Sequence, residues 1–226
     1  MQPAPDVGEP RLVIFDCDGV LVDSEPLVQR VEMGMVAALG WPITLEEIHA
    51  EHLGRSWPVI QANIERHIGR PLPDDFHARR IAANDTIFRE ELQPVDGVLP
   101  AYEALLVAGY RTCVASSGAH DRIRLVLGIT GLLPYVEGRI FSAEDVTHGK
   151  PAPDLFLYAA RQMDVDPCHC VVVEDSPAGV AAARAAGMRV VGYGARAPSG
   201  SLAGADVLID DMQALPDAVQ ELLPTE

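Results

Sequence analysis

The stretch Val13-Ile14-Phe15-Asp16-Cys17-Asp18-Gly19 constrains the fold more than any other part of the chain. Leu12 to Phe15 is a short unbroken apolar run, the pattern of a strand covered on both faces and so of the interior of a parallel sheet. Two carboxylates follow at once. In near-extended chain, residues two apart point to the same side, so Asp16 and Asp18 face one small volume while Cys17 turns away. Gly19 lets the backbone bend where a side chain would obstruct. Turn chemistry accounts for one Asp and a Gly, but not for the apolar strand, the second acid and Asp23 together. At about 4 Å and an effective dielectric near 20, two carboxylates repel by about 4 kcal/mol, so the pair calls for a cation. A hard divalent ion such as magnesium takes oxygen ligands of this kind and keeps positions open for a phosphate.

From Gln93 onward strand and helix patterns alternate, the mark of an α/β core built on a doubly wound parallel sheet. The patterning predicts helices over 98–107, 119–127, 153–163, 177–186 and 212–223, and strands over 110–115, 140–142, 170–173, 189–192 and 207–209. Between the turn at Asp16–Gly19 and Gln93 the pattern is helical throughout. Leu27, Val28, Val31, Met35, Val36 and Leu39 recur at helical spacing, Thr44-Leu45-Glu46-Glu47 reads as a helix start, Ser56 as the cap of another helix, and 74–92 is again helical. The expected organisation is a core of residues 1–23 and 93–226 with an all-helical bundle, 24–92, inserted into it.

The strands of such a sheet deliver their carboxyl ends to one edge, where ligands bind. Besides Asp16 and Asp18, that edge is expected to receive three further groups. Ser116, Ser117 and Gly118 end one strand before a helix, where hydroxyls and backbone amides can hold an anion. Lys150 sits in a loop stiffened by Gly149, Pro151 and Pro153, and Glu174 and Asp175 close the apolar run Val171-Val172-Val173.

Asp16-x-Asp18-Gly-Val-Leu-Val-Asp23-Ser24 resembles the first motif of the haloacid dehalogenase superfamily, in the form typical of its phosphohydrolases and phosphomutases. Ser116, the Gly149-Lys150-Pro151 segment and Glu174-Asp175 resemble the second, third and fourth motifs, and the helical insertion resembles the family's small cap. The resemblance implies a Rossmann-like core and a nucleophile, Asp16, that becomes an aspartyl phosphate. It implies an acid/base at Asp18, a phosphoryl-positioning Ser116, a charge-balancing Lys150, and magnesium held by Asp16, Asp18, Glu174 and Asp175, with the backbone carbonyl of Asp18 also touching the metal. The presence of Asp18 speaks against a true haloacid dehalogenase, which lacks it and needs no metal. Two activities share the four motifs and the cap: a phosphatase of small phosphorylated metabolites, sugar or sugar-acid phosphates, and a β-phosphoglucomutase. The mutases resemble one another in a cap His, where this chain has Val28, and in an Arg after Gly-x-Ser, where this chain has Gly54-Arg55-Ser56 followed by Trp57. These departures favour the phosphatase, with Arg55, Ser56 and Trp57 as cap residues for sugar contact.

A net charge of −16 argues against nucleic acid, whose phosphates demand a basic face, and leaves attraction of an anionic substrate to local cations. No apolar run is long enough to span a membrane and no leader pattern precedes the core, so a cytoplasmic enzyme is expected, as a monomer with a dimer as the alternative. Four cysteines are too few for a disulfide scaffold, and Cys168-His169-Cys170, without a second cluster, reads as packing and a turn. A catalytically silent α/β binding module is the non-enzymatic alternative; it would usually have lost a motif residue, and all are present.

Overall fold

A computed structural model of the chain describes residues 9–52, 55, 57–197 and 200–223. It divides into two compact units, Met1–Val22 with Pro94–Glu226, and Asp23–Gln93.

The second unit consists of helices α1 (Glu25–Ala37), α2 (Leu45–Glu51), α3 (Trp57–Ile68) and α4 (Phe76–Glu91), with no strand among its described residues. Thr44 starts α2 with a reciprocal cap: its hydroxyl accepts from the Glu47 N–H at 3.2 Å and the Glu47 carboxylate accepts from the Thr44 N–H at 2.7 Å. Helix α1 stops at Ala37 rather than Leu39, because the N–H groups of Leu39 and Gly40 reach back only three residues, in a tightened last turn. Ser56, expected to cap α3, lies outside the described residues. The core of this unit is Val36, Trp41, Ile43, Ile48, Ile60, Ile64, Leu72 and Phe76. Beside it runs a buried polar chain. His52, 3% exposed, pairs through Nδ1 with Glu32 and through Nε2 with Asn63 Oδ1 at 3.0 Å, and the Asn63 amide donates to Glu51.

In the first unit, strands β1 (Leu12–Phe15), β2 (Arg111–Ser116), β3 (Ile140–Ser142), β4 (Cys170–Glu174), β5 (Arg189–Tyr193) and β6 (Val207–Ile209) form one sheet in the order β3-β2-β1-β4-β5-β6. Every pairing is parallel. The connecting and flanking helices are α5 (Val98–Val107), α6 (His120–Ile129), α7 (Leu133–Val136), α8 (Asp154–Gln162), α9 (Pro177–Ala185) and α10 (Leu215–Leu222). Helix α7 was not expected, since four residues are too few to show a period. The expected helix 212–223 is divided, with a 3₁₀ turn over Met212–Ala214 before α10, where Asp211 caps the turn by accepting from the Gln213 N–H at 2.8 Å.

Strand β1 is central and wholly buried, as its continuous apolar sequence requires. The chain passes from β1 to β2 and β3 on one side and only then to β4, β5 and β6 on the other, so strand order reverses at β1. That reversal opens a crevice at the carboxyl edge between neighbouring connections. In register, Phe15 lies opposite Val114 and Val173, which sets Asp16 level with Ala115 and Glu174. Beyond Asp16 the chain turns sharply, Gly19 donating to the Val22 carbonyl at 2.9 Å, and leaves this unit at Val22, which is bridged antiparallel to the returning Pro94.

Candidate active site

The ends of the three central strands converge on one cation. Lys150 Nζ donates to Asp16 Oδ1 at 2.5 Å, to the Ala115 carbonyl at 3.0 Å and to Glu174 Oε1 at 2.7 Å, so it touches the termini of β1, β2 and β4 at once. Its side chain is 4% exposed, and the ring of Phe156 lies 4.8 Å below the ammonium. Two carboxylates hold Lys150 firmly in its charged form although burial opposes it. Asp16 responds in the opposite sense. Burial, against which Lys150 works and to which Glu174 and Asp18 add, raises its carboxyl from 3.8 to about 7.

Glu174 has both oxygens engaged. One accepts from Lys150; the other accepts from the backbone N–H and the hydroxyl of Ser176, each at 2.8 Å. Gly179, in the first turn of α9, makes room for it: a Cβ there would stand 1.7 Å from Glu174 Oε1. Asp175 turns the other way and lies against Gly19, whose φ of +77° and lack of a side chain are both needed, since a Cβ would meet Asp175 Oδ2 at 1.9 Å.

Asp18 is clamped by a residue that the sequence gave no reason to single out. Arg122 Nη1 and Nη2, from the first turn of α6, donate to Asp18 Oδ2 and Oδ1 at 2.6 and 2.8 Å. Asp18 in turn drives the Arg122 guanidinium further toward its charged form, against its own burial.

Ser116 is 1% exposed at the end of β2, and its Oγ accepts from the Gly118 N–H at 3.1 Å; the Ser142 hydroxyl donates to the Gly118 carbonyl at 2.6 Å. The loop Ser116-Ser117-Gly118 is thereby pinned between β2 and β3, with Ser117 exposed. In the helical unit Arg55 is exposed, Trp57 is partly buried and stacks on His77 with ring centres 4.4 Å apart, and Ser56 is among the residues not described.

Asp16, Asp18, Glu174 and Asp175, the metal ligands expected from the sequence, all lie at this edge. Among the described residues no three acidic, His or Cys side chains gather into one cage. Here Arg122 pairs with Asp18, and Lys150 pairs with both Asp16 and Glu174. The donor chemistry still suits a divalent ion. Asp16, Asp18 and Glu174 pair with the cations Lys150 and Arg122 at this edge, Asp175 lies against Gly19 beside them, and burial holds the Asp16 carboxyl up at about 7.

Against known proteins, the family model for haloacid dehalogenase-like hydrolases matches residues 10–187. The chain belongs to this family. It is 35% identical to the plasmid-encoded phosphoglycolate phosphatase of Cupriavidus necator, over 90% of each chain. It is 31% identical to 6-phosphogluconate phosphatase of Escherichia coli (strain K12), over 79% of this chain and 80% of that one. A haloacid dehalogenase-like protein from Agrobacterium tumefaciens superposes with a TM-score of 0.84 at 36% identity, covering 94% of this chain and 99% of its own. This haloacid dehalogenase-like hydrolase is thus an enzyme of the phosphoric monoester hydrolase class, with the α/β core and the helical unit described above. Among its described residues no helix is long and apolar enough to cross a membrane.

Proposed function

We propose that the enzyme hydrolyses phosphate esters of small metabolites, sugar or sugar-acid phosphates, through an aspartyl phosphate on Asp16 with magnesium as cofactor. The contact of Lys150 with three strand ends is the observation that carries this reading: it places a fixed ammonium beside a buried carboxylate, which is what a nucleophile attacking an anion needs. Asp16, Glu174 and Asp175, with Asp18 through its backbone carbonyl, would hold magnesium. When bound, the ion supplies positive charge that lowers the Asp16 carboxyl back into its ionised range and balances the phosphoryl oxygens.

The chain's own residues carry the steps. An Asp16 oxygen attacks phosphorus in line and the bond from phosphorus to the ester oxygen breaks, while Lys150 and the Ser116–Gly118 loop bind the equatorial oxygens. Asp18 gives its proton to the departing alkoxide, then takes one from the water that attacks the aspartyl phosphate, returning Asp16 and releasing phosphate. Likeness to phosphatases named for 6-phosphogluconate and phosphoglycolate supports a small, strongly anionic phosphate ester as substrate.

The test is phosphate release from a panel of small phosphorylated metabolites, with magnesium and with chelator. Release lost on chelation and restored by magnesium is expected. β-Glucose 1-phosphate with its bisphosphate, assayed for glucose 6-phosphate, runs beside it; isomerised sugar phosphate with little free phosphate would make the enzyme a mutase. Magnesium binding without turnover of any ester would make it a binding module.

A further inference from the structure

We infer that Ser142 is a positioning residue for phosphoryl transfer: acting through Gly118, it aims the Ser116 hydroxyl at the phosphoryl oxygens. This rests on the phosphatase reading above. Ser142 ends β3, level in register with Ser116 at the end of β2, and the two residues are 0% and 1% exposed. A hydroxyl buried there needs a partner, and that of Ser142 donates across to the loop after β2, to the Gly118 carbonyl at 2.6 Å.

Gly118 is the weak link that this bond holds. Its N–H donates to Ser116 Oγ at 3.1 Å and its carbonyl accepts from Ser142, so both backbone groups are engaged, one with each serine. Glycine has little backbone preference of its own, so its orientation has to be set from outside. With the carbonyl fixed, the N–H stays on Ser116 Oγ. That bond occupies a lone pair of the Ser116 oxygen and leaves its proton to be given to an anion. Two carbonyls of the loop that would repel an anion are taken by donors, Ala115 by Lys150 at 3.0 Å and Gly118 by Ser142.

Ser142 is itself held in place. Its Oγ accepts from the Glu144 N–H at 3.1 Å, and its own N–H donates to Asp145 Oδ2 at 2.8 Å. Glu144 also accepts from the His120 N–H at 2.9 Å, and Asp145 meets the His120 ring at 2.9 Å. Residues 142–145 thus grip 118–120 at three points, and the Ser142 bond is the one that reaches Gly118 and through it Ser116. Donors placed on the equatorial oxygens speed the reaction by what they gain in the transition state, so a hydroxyl left to wander costs rate more than binding.

The experiment uses full-length wild type, Ser142→Ala, Ser142→Thr, Glu144→Ala and Thr130→Val, with p-nitrophenyl phosphate in saturating magnesium. Orthovanadate, whose five-coordinate adducts imitate phosphorus in flight, and inorganic phosphate serve as inhibitors, and thermal melts accompany the kinetics. Thr130 donates to the Val126 carbonyl at 2.8 Å at the far end of α6, so Thr130→Val reports what a lost hydroxyl bond does to stability alone. For Ser142→Ala the expected result is a kcat/KM about 5- to 30-fold lower, carried mainly by kcat. Its inhibition constant for orthovanadate rises by a similar factor and that for phosphate by less than about threefold. Ser142→Thr restores the hydroxyl and recovers most of both losses, while Thr130→Val keeps wild-type values. Glu144→Ala, an exposed change that loosens the same grip, lowers kcat/KM by about two- to fivefold. An unchanged kcat/KM in Ser142→Ala, a lowered one with orthovanadate bound as tightly as by wild type, a folded Ser142→Thr no better than alanine, or an equal loss in Thr130→Val overturns the inference. Should Ser142→Ala fail to fold, a Glu144→Ala protein with wild-type kcat/KM overturns it instead. A wild type that turns over neither p-nitrophenyl phosphate nor any ester of the metabolite panel overturns the phosphatase reading and this one with it, whereas an active wild type with an unchanged Ser142→Ala overturns this one alone.

Discussion

Replacing Asp16 by Asn should abolish turnover and at the same time make the metal-free protein more stable above neutral pH. The carboxyl is 8% exposed, and its rise from 3.8 to about 7 means that the folded chain prefers it protonated. A folded-state value above the unfolded one costs nothing below pH 3.8, where both states hold the proton, and costs progressively more up to pH 7, beyond which the penalty is constant. At 1.36 kcal/mol per pH unit the full penalty is about 4 kcal/mol, with the opposing pull of Lys150 already contained in it. Asparagine removes the charge but keeps an oxygen that Lys150 can reach, and Lys150 retains Glu174 and the Ala115 carbonyl. Reversible urea unfolding in chelator, at steps from pH 4.5 to 8.5, reads the difference directly. The two proteins should be nearly equal at the acid end, and the variant should lead by about 1–4 kcal/mol at pH 8, roughly 2–16 °C in Tm for a chain of this size. Added magnesium should stabilise the wild type more than the variant and close the gap. A variant no more stable than wild type at pH 8 in chelator would refute the view that ionised Asp16 is an unfavourable group awaiting a counter-charge.

Lys150→Met should cost about 3–5 kcal/mol in the same unfolding assay, because it strands Glu174, 1% exposed, without its cation, and should remove phosphate release. Gly19→Ala should push Asp175 away from the first-motif turn and weaken magnesium binding by about tenfold or more, measured by calorimetry. His52→Ala leaves Glu32 and Asn63 buried without their partner, at about 3–5 kcal/mol, and hydrogen exchange should show the loss in residues 25–68 while the amides of β1 and β4 stay protected.

The strand ends were legible because chemistry and fold demand the same thing of them: an apolar run that stops at a polar group has little reason to exist except at a ligand edge. Lys150 was legible for the same reason, a flexible side chain on a stiff loop. What the two neighbouring acids of β4 each do was not. Glu174 is still on the strand and Asp175 is just past it, so the pleat sends the first to Lys150 and the second to Gly19, a division that the string Glu-Asp does not encode. Arg122 was hidden more thoroughly. In sequence it and Arg124 are equal members of a short amphipathic helix, and only the closing of β2 against β1 shows that one faces a carboxylate of the first motif and the other faces Glu137. Element limits shifted by a residue or two where capping, and not periodicity, decided them, as at Ala37 and Asp211.

The bridge between Val22 and Pro94 has an evolutionary consequence. The α/β unit releases its chain and takes it back at adjacent points on its own surface, so residues 23–93 enter and leave it as a loop does, whatever they contain. Closing a loop costs only about 0.6 kcal/mol more for each doubling of its length, so the bundle between those two residues is exchangeable at little expense to the sheet. A lineage can therefore exchange residues 23–93 as one cassette while Asp16, Asp18, Lys150 and Asp175 stay beside the ends of strands that never have to move, or on the loops those strands carry.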